Sequence, residues 1–373
     1  MRILFDLTYI SESDSYAGIS VFSYSIIPAL LEYGGGEVEI VGLARRSTVG
    51  MLSERLPGVQ LVAIDYKEFR QFNSIDGFIN KPALERVIRE QGIDLFFLPF
   101  VSDRCLWTHS VPMVAVMHDA QGFKVKKKFY RAAVYNTFTP FYASRADVLV
   151  TISDFARQDI LKTVPRLKRK PVEVIYQSLR FRRMEEREEP ASRPSYILSV
   201  NTIQPYKNPM TIVRAFERIM DRIPHQLWFK GLKSSYSEDV LRPYIMEHGL
   251  QDRVRILDEV YSPAQMDELF SRASLFVSGS TMEGFGLTPI ESAMHLVPAV
   301  CADIPPVRET TRGLLRYYSP VFDDVALADE MLRALDEQPD MRPIAREYES
   351  FYSRERQANA YIALFRRMLK SRQ

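Results

Sequence analysis

Short apolar segments alternate along the chain with longer amphipathic segments. Apolar runs of five or six residues are typical of strands that are buried on both faces of a parallel sheet. The strands predicted in this way are RILFDL, VEIVGL, VQLVAI, DLFFLP, PMVAVM, DVLVTI, SYILSV, QLWFKG, RVRILD, SLFVSG and PAVCA. Helices are predicted between them, for example over residues 20–33, 82–90 and 128–145. The alternation predicts an α/β fold with doubly wound parallel sheets.

A change of composition divides the predicted elements into two groups. Residues 182–195, RRMEEREEPASRPS, carry many charges and two prolines but almost no apolar side chains, which is typical of a linker. We therefore predict an N-terminal α/β domain over residues 1–183, a linker over 184–195 and a C-terminal α/β domain over 196–352. Apolar residues at three- and four-residue spacing predict a last helix over 353–370 that packs back on the first domain.

Composition excludes several classes of protein. Of 373 residues, 46% are hydrophobic and 26% are charged, which excludes wholesale disorder. The net charge of +2 excludes nucleic-acid binding through bulk charge, and we expect no nucleic-acid partner. Two distant cysteines, Cys105 and Cys301, exclude a disulfide scaffold and fit a reducing compartment. Apolar runs of about seven residues predict no transmembrane helix. Asp6 interrupts the first apolar stretch, so we expect no signal peptide and a cytoplasmic protein.

One part of the chain is strongly basic. Residues 121–183 contain 15 Lys and Arg against four Asp and Glu. Within them, FKVKKKFYR at 123–131 interleaves lysines with aromatic residues, and RLKRK follows at 166–170. Such runs are usually solvated faces. They also suit docking to an anionic membrane, where each basic residue contributes about 1 kcal/mol. Both interpretations stay open, and the second predicts a protein that is peripheral at the inner face of the membrane.

The segment SGSTMEGFGLTPIESAM, residues 278–294, carries the candidate chemistry. It joins a predicted strand to a predicted helix, and Gly284 and Gly286 allow the backbone to approach a ligand closely. The helix N-terminus offers unpaired N–H groups to a phosphate. Glu283 and Glu291 suit sugar hydroxyls, which donate hydrogen bonds to carboxylates. A purely structural role, with a turn and local ion pairs, is the alternative.

The stretch EGFGLTPIE resembles the E-x7-E signature of retaining glycosyltransferases of family 4, and the resemblance covers nearly the whole chain. Other stretches match family segments in order and spacing, namely SYAGIS, MHD at 117–119, TISDFARQDI and VNTIQPYKNPMTIVRAF. The resemblance implies a GT-B fold, in which two Rossmann-like domains face each other across a cleft. It also implies that the N-terminal domain binds the acceptor and the C-terminal domain binds the nucleotide sugar.

The resemblance assigns roles to individual residues. It implies that Lys207 contacts the donor diphosphate, where a point charge meets the developing negative charge of the leaving group. Glu291 would hold the donor ribose, and Glu283 would lie near the transferred sugar. His118 would face the hydroxyls of that sugar. The backbone of the loop would touch diphosphate and sugar through Gly284, Phe285, Gly286 and Leu287. The implied catalytic set is therefore His118, Lys207 and Glu283.

Several positions depart from the family pattern or allow a simpler interpretation. Tyr206 replaces the arginine that usually stands beside the lysine, and Asn201 stands where some members carry another arginine. The site therefore holds fewer cations, unless an arginine such as Arg308 compensates. Asn201 and Gly18 complete the predicted donor-binding set. The alternative for Gly18 is a plain turn without a role in binding, and the alternative for His118 is a buried core histidine.

The resemblance leads to a specific functional prediction. The protein would transfer a hexose to a hydroxyl of a lipid-linked or growing glycan in bacterial surface polysaccharide synthesis. The specific prediction is mannose, with GDP-mannose as the donor. No D-x-D triplet occurs, so we expect no bound metal and no cofactor. No G-x-G-x-x-G follows the first strand, which argues against an NAD-binding domain. Two alternatives remain: a non-hydrolysing sugar-nucleotide epimerase and a non-enzymatic two-lobed sugar-binding protein.

Overall fold

A computed structural model describes residues 1–11, 18–67, 76–106, 110–124, 129–179 and 195–371, with the backbone alone for residues 18 and 129–135. The chain divides into two compact units. The first comprises Met1–Ser178 and Tyr352–Gln373, and the second comprises Leu179–Phe351. The predicted linker lies outside the described residues except for its last position, residue 195.

The first unit contains a parallel sheet of seven strands in the order β3-β2-β1-β4-β5-β6-β7. The strands are β1 (Arg2–Asp6), β2 (Glu39–Arg45), β3 (Gln60–Ile64), β4 (Leu95–Leu98), β5 (Met113–Val116), β6 (Val148–Thr151) and β7 (Val172–Val174). The central strands β4, β5 and β6 are buried at every residue, because helices cover both faces of the sheet.

Helices connect these strands within the described ranges. They are α1 (Gly18–Tyr33), α2 (Val49–Arg55), α3 (Asp76–Glu90), α4 (Gln121–Lys124), α5 (Phe129–Arg145) and α6 (Asp154–Thr163). The start of α6 shows how the sequence sets a helix boundary. The Ser153 hydroxyl accepts a hydrogen bond from the Ala156 amide and so caps the first turn.

The second unit contains a parallel sheet of six strands in the order β10-β9-β8-β11-β12-β13. The strands are β8 (Tyr196–Val200), β9 (Gln226–Lys230), β10 (Val254–Leu257), β11 (Leu275–Ser278), β12 (Ala299–Ala302) and β13 (Arg316–Tyr318). The helices are α7 (Pro209–Ile219), α8 (Arg242–Glu247), α9 (Pro263–Ser271), α10 (Leu287–Met294), α11 (Pro305–Thr310), α12 (Asp324–Glu337) and α13 (Arg342–Phe351). Both sheets confirm the predicted α/β class.

The last helix, α14 (Arg354–Lys370), belongs to the first unit. Ser353 caps its first turn. Its buried face places Tyr361 and Phe365 against Phe97 of β4, with ring centroids 5.4 and 5.9 Å apart. On its exposed face, Arg366 forms an ion pair with Glu37. Among the described residues, no helix is both long enough and apolar enough to cross a lipid bilayer.

Each sheet has one topological switch point. On one side of it successive strands are added towards one edge of the sheet, and on the other side they are added towards the opposite edge. In the first unit this point lies between β1 and β4, and in the second it lies between β8 and β11. The loops that follow such a pair of strands diverge and leave a crevice at the carboxyl ends, where open α/β sheets bind ligands. A site in the second unit is therefore expected at the loops after β8 and β11.

Candidate functional site

The loop after β8 presents Lys207 at the end of a short 3-10 turn, Pro205–Lys207. Asn208 follows in the left-handed region at φ 53°. The side-chain nitrogen of Asn208 donates to the Val321 carbonyl at 2.8 Å, and its side-chain oxygen Oδ1 accepts from the Thr211 hydroxyl at 2.9 Å. These contacts secure the turn, and Pro209 then begins α7. The backbone therefore holds Lys207 in a defined place.

The loop after β11 leads directly into α10. Gly286 adopts φ 82°, a conformation that residues with a Cβ rarely take, and α10 begins at the next residue. On the other side, the Thr310 hydroxyl donates to the Phe285 carbonyl at 2.6 Å and so holds the loop against α11. No side chain caps α10 at Gly286, and its first turn contains no acidic residue. Its N-terminus therefore suits an anion.

The two loops are bound to each other by hydrogen bonds and an ion pair. The amide and the hydroxyl of Thr281 both donate to the Tyr206 carbonyl, at 2.8 and 3.0 Å. Lys207 Nζ donates to Glu283 Oε1 at 2.7 Å, and the two side chains are only 14% and 12% exposed. The ammonium also lies 5.3 Å from the centroid of the Tyr206 ring. Tyr206, which replaces the family arginine, thus contacts the lysine through its ring face.

A cavity of about 380 Å³ lies between these loops, and we call it the switch-point cavity. Its lining residues are Val200, Asn201, Lys207, Met266, Phe270, Glu283, Phe285, Gly286, Leu287, Thr288 and Glu291. The structure therefore brings together seven residues of the predicted donor-binding set, and Gly284 is buried within the same loop. The apolar wall formed by Met266 and Phe270 of α9 was not predicted. These are ordinary apolar positions of a helix, and no motif marks them.

Lys207 is the single cation among the residues that line the switch-point cavity. Arg308, which the sequence suggested as a substitute for the missing arginines, does not line it. Its guanidinium instead binds both carboxylate oxygens of Asp303, at 2.6 and 2.8 Å, and lies over the Tyr317 ring. The positive charge available to an anion in this cavity therefore comes from Lys207 and from the N-terminus of α10.

In the first unit, His118 follows β5 and is held by neighbouring strand ends. Its Nε2 donates to the Pro99 carbonyl at 2.8 Å, and the Gln177 side-chain amide donates to Nδ1 at 3.2 Å. The Phe22 ring packs edge-on against the imidazole. Burial lowers the pKa of His118 below its ordinary value, against the hydrogen bond to Pro99. His118 is therefore neutral. Gly18 begins α1, the helix that carries Phe22.

Gln177 is a contact of His118 that no sequence motif marks. It follows β7, a strand of only three residues with no strongly apolar run, so neither the strand nor the residue after it was predicted. Its amide orients the imidazole by donating to Nδ1, which leaves the proton on Nε2.

The basic segments are described only in part. Lys124 Nζ binds both carboxylate oxygens of Asp159 at 2.6 Å. Residues 125–128 and the side chains of 129–131 lie outside the described part of the chain. In the second segment, Arg166, Lys168 and Arg169 are exposed. Lys170 donates to the Ala146 carbonyl at 2.6 Å.

The metal prediction concerns the whole chain. Within the described ranges, no three His, Cys, Asp or Glu side chains are grouped so that they could hold a metal. Independence of the reaction from metal stays a prediction.

Comparisons with known proteins agree with this architecture. The family model "Glycosyltransferase Family 4" matches residues 16–179, and the model "Glycosyl transferases group 1" matches residues 181–350. The O-antigen chain mannosyltransferase RfbU of Salmonella typhimurium is 24% identical over 240 residues, which are 63% of this chain and 65% of that protein. The serotype-specific mannosyltransferase WbdA of Escherichia coli is 30% identical over 150 residues, 40% of this chain and 18% of that protein. The matches thus span less than two thirds of either relative.

A solved structure supports the fold over the full length. The structure of HepE from Anabaena, in complex with UDP and glucose, superposes with a TM-score of 0.71 at 14% identity. The match covers 98% of this chain and 99% of that one. Identity this low shows the fold alone, whereas the two family models account for both units of the sequence in order. The chain belongs to the glycosyltransferases with the GT-B fold, of the family 4 and group 1 type.

Proposed function

We propose that the protein transfers a hexose, with retention of anomeric configuration, from a nucleoside-diphosphate sugar to a hydroxyl of a growing or lipid-linked glycan in bacterial surface polysaccharide synthesis. The observation that carries the proposal is the switch-point cavity. It combines one lysine, a helix N-terminus and two carboxylates, Glu283 and Glu291. That set suits a ligand with a diphosphate and several hydroxyl groups.

In the proposed reaction, the bond between the anomeric carbon and a diphosphate oxygen breaks, and its electron pair stays on the diphosphate. The acceptor hydroxyl oxygen forms the new bond to that carbon and gives up its proton to an oxygen of the departing diphosphate. The diphosphate becomes more negative as it departs, so Lys207 and the N-terminus of α10 stabilise the transition state more than the bound donor. Glu291 is proposed to hold the ribose, where contacts are the same before and during the transfer.

The ion pair between Lys207 and Glu283 gives both side chains a role before the donor binds. Both are mostly buried, and each neutralises the charge of the other at 2.7 Å. A diphosphate that enters the cavity offers Lys207 a doubly charged partner in place of the carboxylate. Glu283 would then be available to accept hydrogen bonds from the hydroxyls of the transferred sugar. His118 is proposed to bind hydroxyls of the same sugar.

GDP-mannose is the donor that we propose, because RfbU and WbdA are both described as mannosyltransferases. UDP-glucose is the main competitor, since HepE was solved with UDP and glucose. A thermal-shift screen with GDP, UDP, dTDP and their sugars tests the base and the sugar. A true ligand at 100 times its Kd stabilises the folded state by about 2.7 kcal/mol. Absence of stabilisation by every nucleoside diphosphate would contradict the proposal.

The reaction itself is tested with the donor that stabilises the protein and with lipid-linked glycan extracted from bacteria that make surface polysaccharide. We expect a glycosylated product whose anomeric NMR coupling matches that of the donor, and equal rates with and without EDTA. An inverted product would contradict retention, and a rate lost in EDTA would contradict independence from metal. A changed sugar nucleotide formed without any acceptor would indicate the epimerase instead.

A further inference from the structure

His295 follows helix α10 directly and lies behind the wall of the switch-point cavity. Its side chain is buried, with 3% exposed. Its Nδ1 lies 2.7 Å from the main-chain carbonyl oxygen of Glu291, one helical turn earlier. Its Nε2 lies 3.2 Å from Oδ1 of Asp267 on α9. The imidazole therefore connects α9 to the residue of α10 that we propose for ribose binding.

Both partners of the ring are hydrogen-bond acceptors. A carbonyl oxygen only accepts hydrogen bonds, and an ionised carboxylate does the same. A hydrogen bond to each partner therefore requires a proton on both nitrogens, which is the imidazolium form of the ring. A cation is also favourable at the carboxyl end of a helix. Glu268, the residue after Asp267 on α9, pairs at 2.9 Å with Arg272, which follows the end of that helix.

The same imidazole supports the apolar wall of the cavity. It stacks on the Phe270 ring, with centroids 5.3 Å apart and planes inclined by 18°. Phe270 lines the switch-point cavity from α9, as Glu291 does from α10. His295 therefore contacts two residues of the lining while it does not line the cavity itself.

We propose that His295, in its doubly protonated form, is a positioning residue that joins α9 to α10 and thereby fixes Glu291 and Phe270 for donor binding. The inference rests on the proposed function, because it takes the ligand to be a nucleoside-diphosphate sugar. His295 acts on contacts that are equal in the bound donor and the transition state. Its loss therefore raises KM for the donor and leaves kcat nearly unchanged.

The kinetic test uses His295→Gln, which replaces the two ring nitrogens by a single amide nitrogen and so cannot place a donor at both ring positions. With the donor identified by the thermal-shift screen, we expect KM and the Kd of the free nucleoside diphosphate to rise about tenfold, the size of one lost hydrogen bond to a charged group. Glu291→Ala, which removes the proposed ribose contact, should show the same pattern. A merely structural role would reduce the folded fraction and so lower kcat with KM unchanged. That outcome, or an unchanged KM, would overturn the proposal.

The protonation state is tested without any ligand by ¹⁵N NMR of the histidine side chains at neutral pH. The resonances of His295 are assigned by their loss in His295→Gln. We expect both ring nitrogens of His295 to carry protons in the wild type, and only one to do so in Asp267→Asn, which keeps the acceptor oxygen and removes the charge. A singly protonated His295 in the wild type would overturn the charged form.

His248 provides a matched control in the same unit. Its Nδ1 lies 2.8 Å from a carboxylate oxygen of Glu217 and its ring stacks on Tyr244, but its side chain is 39% exposed and does not contact the cavity. We expect His248→Gln to bind and turn over the donor as the wild type does. Failure of the wild type to bind any nucleoside diphosphate would contradict the proposed function. Equal binding by wild type and His295→Gln would overturn the role of His295 alone.

Discussion

Lys207 is the residue on which the proposed chemistry depends most directly. Because it is the cavity's single lining cation, Lys207→Ala removes the charge that opposes the growing negative charge of the diphosphate. We expect kcat to fall on the order of 10²-fold or more, with a smaller change in KM. Steady-state kinetics with the identified donor measure both constants.

Lys233, in the same unit, gives the control for this prediction. It is exposed and forms an ion pair with Glu238 at 3.2 Å, so Lys233→Ala removes the same charge from the same unit without reaching the cavity. Its kcat should equal that of the wild type. Turnover by Lys207→Ala at the wild-type rate would remove Lys207 from the transition state and leave its contact with Glu283 as a structural ion pair.

Asp103 makes the first unit sensitive to pH. It lies in the 3-10 turn after β4, and burial raises its pKa from 3.8 to about 6 against the attraction of Arg104. Between those two pH values the folded state binds more protons than the unfolded state. The stability that Asp103 contributes is therefore complete below about pH 4 and is lost as the pH rises through about 6.

The substitution Asp103→Asn tests this dependence, because it keeps the shape and removes the ionisation. A pKa shift of two units corresponds to about 3 kcal/mol, which is the upper value for the stability that the variant gains relative to wild type as the pH rises. We expect the free energy of unfolding of Asp103→Asn, relative to wild type, to increase by roughly 1 to 3 kcal/mol between pH 4 and pH 7. Urea titrations at both pH values measure it, with exposed Asp252→Asn as control. A difference that is equal at both pH values would contradict the raised pKa.

At the scale of elements, the start of α10 is set by the backbone of Gly286. A Cβ at this position would meet its nearest neighbour at 3.6 Å, an ordinary contact, so space is available and only the positive φ opposes a side chain. Gly286→Ala should destabilise the protein by about 1 kcal/mol, the strain of a left-handed residue, and should weaken nucleoside-diphosphate binding. Thermal unfolding and calorimetric titration measure the two effects.

Gly249 separates strain from function in this prediction. It has φ 65°, a Cβ added there would meet open space, and the residue lies after α8, outside the cavity lining. Gly249→Ala should therefore lose a similar amount of stability while it binds the nucleotide normally. Equal loss of binding in both variants would show that Gly286 acts through general stability and not through the anion site at α10.

The elements also show which parts of the fold a sequence encodes locally. All eleven predicted strands are present. Most of their residues are apolar because helices cover a parallel sheet, and β4, β5 and β6 are buried at every position. Strands β7 and β13 were missed, since three mostly half-buried residues form no recognisable apolar run. The helix predicted to start at Pro82 begins at Asp76, because this proline lies inside α3 and not in its first turn.

The candidate site also combines features that the local sequence determines with features that arise only in the folded chain. Glycines, a proline and the strand-to-helix junction indicate the loop around Gly286, because these residues determine local backbone conformation. Met266, Phe270 and Gln177 come close to the candidate residues only through tertiary packing, which no local pattern records. The binding of Arg308 to Asp303 also depends on the folded loop, and the sequence alone suggested a different role for that arginine.

At the scale of the whole molecule, the uneven charge of the first unit bears on where the protein acts. Lys124 belongs in sequence to the first basic segment, but it binds Asp159, so its charge is already compensated. Arg166, Lys168 and Arg169 are exposed, and no ion pair is seen for them within the described residues. The proposed docking to an anionic membrane is therefore tested best with these three residues and with the lysines at 126–128.

We expect replacement of these six bases by Gln to lower co-sedimentation with vesicles of anionic phospholipid. At about 1 kcal/mol per basic residue, three effective contacts alone shift partitioning by around two decades, before salt screening. A second variant replaces three exposed bases of the other unit, Arg222, Lys233 and Arg346, and should sediment as the wild type does. Nucleoside-diphosphate binding should be equal in all three proteins, and high salt should release the wild type. Vesicle binding that is absent in the wild type, or equal in all three proteins at low salt, would show that these bases form a solvated face, and the proposed membrane-bound acceptor would lose its support.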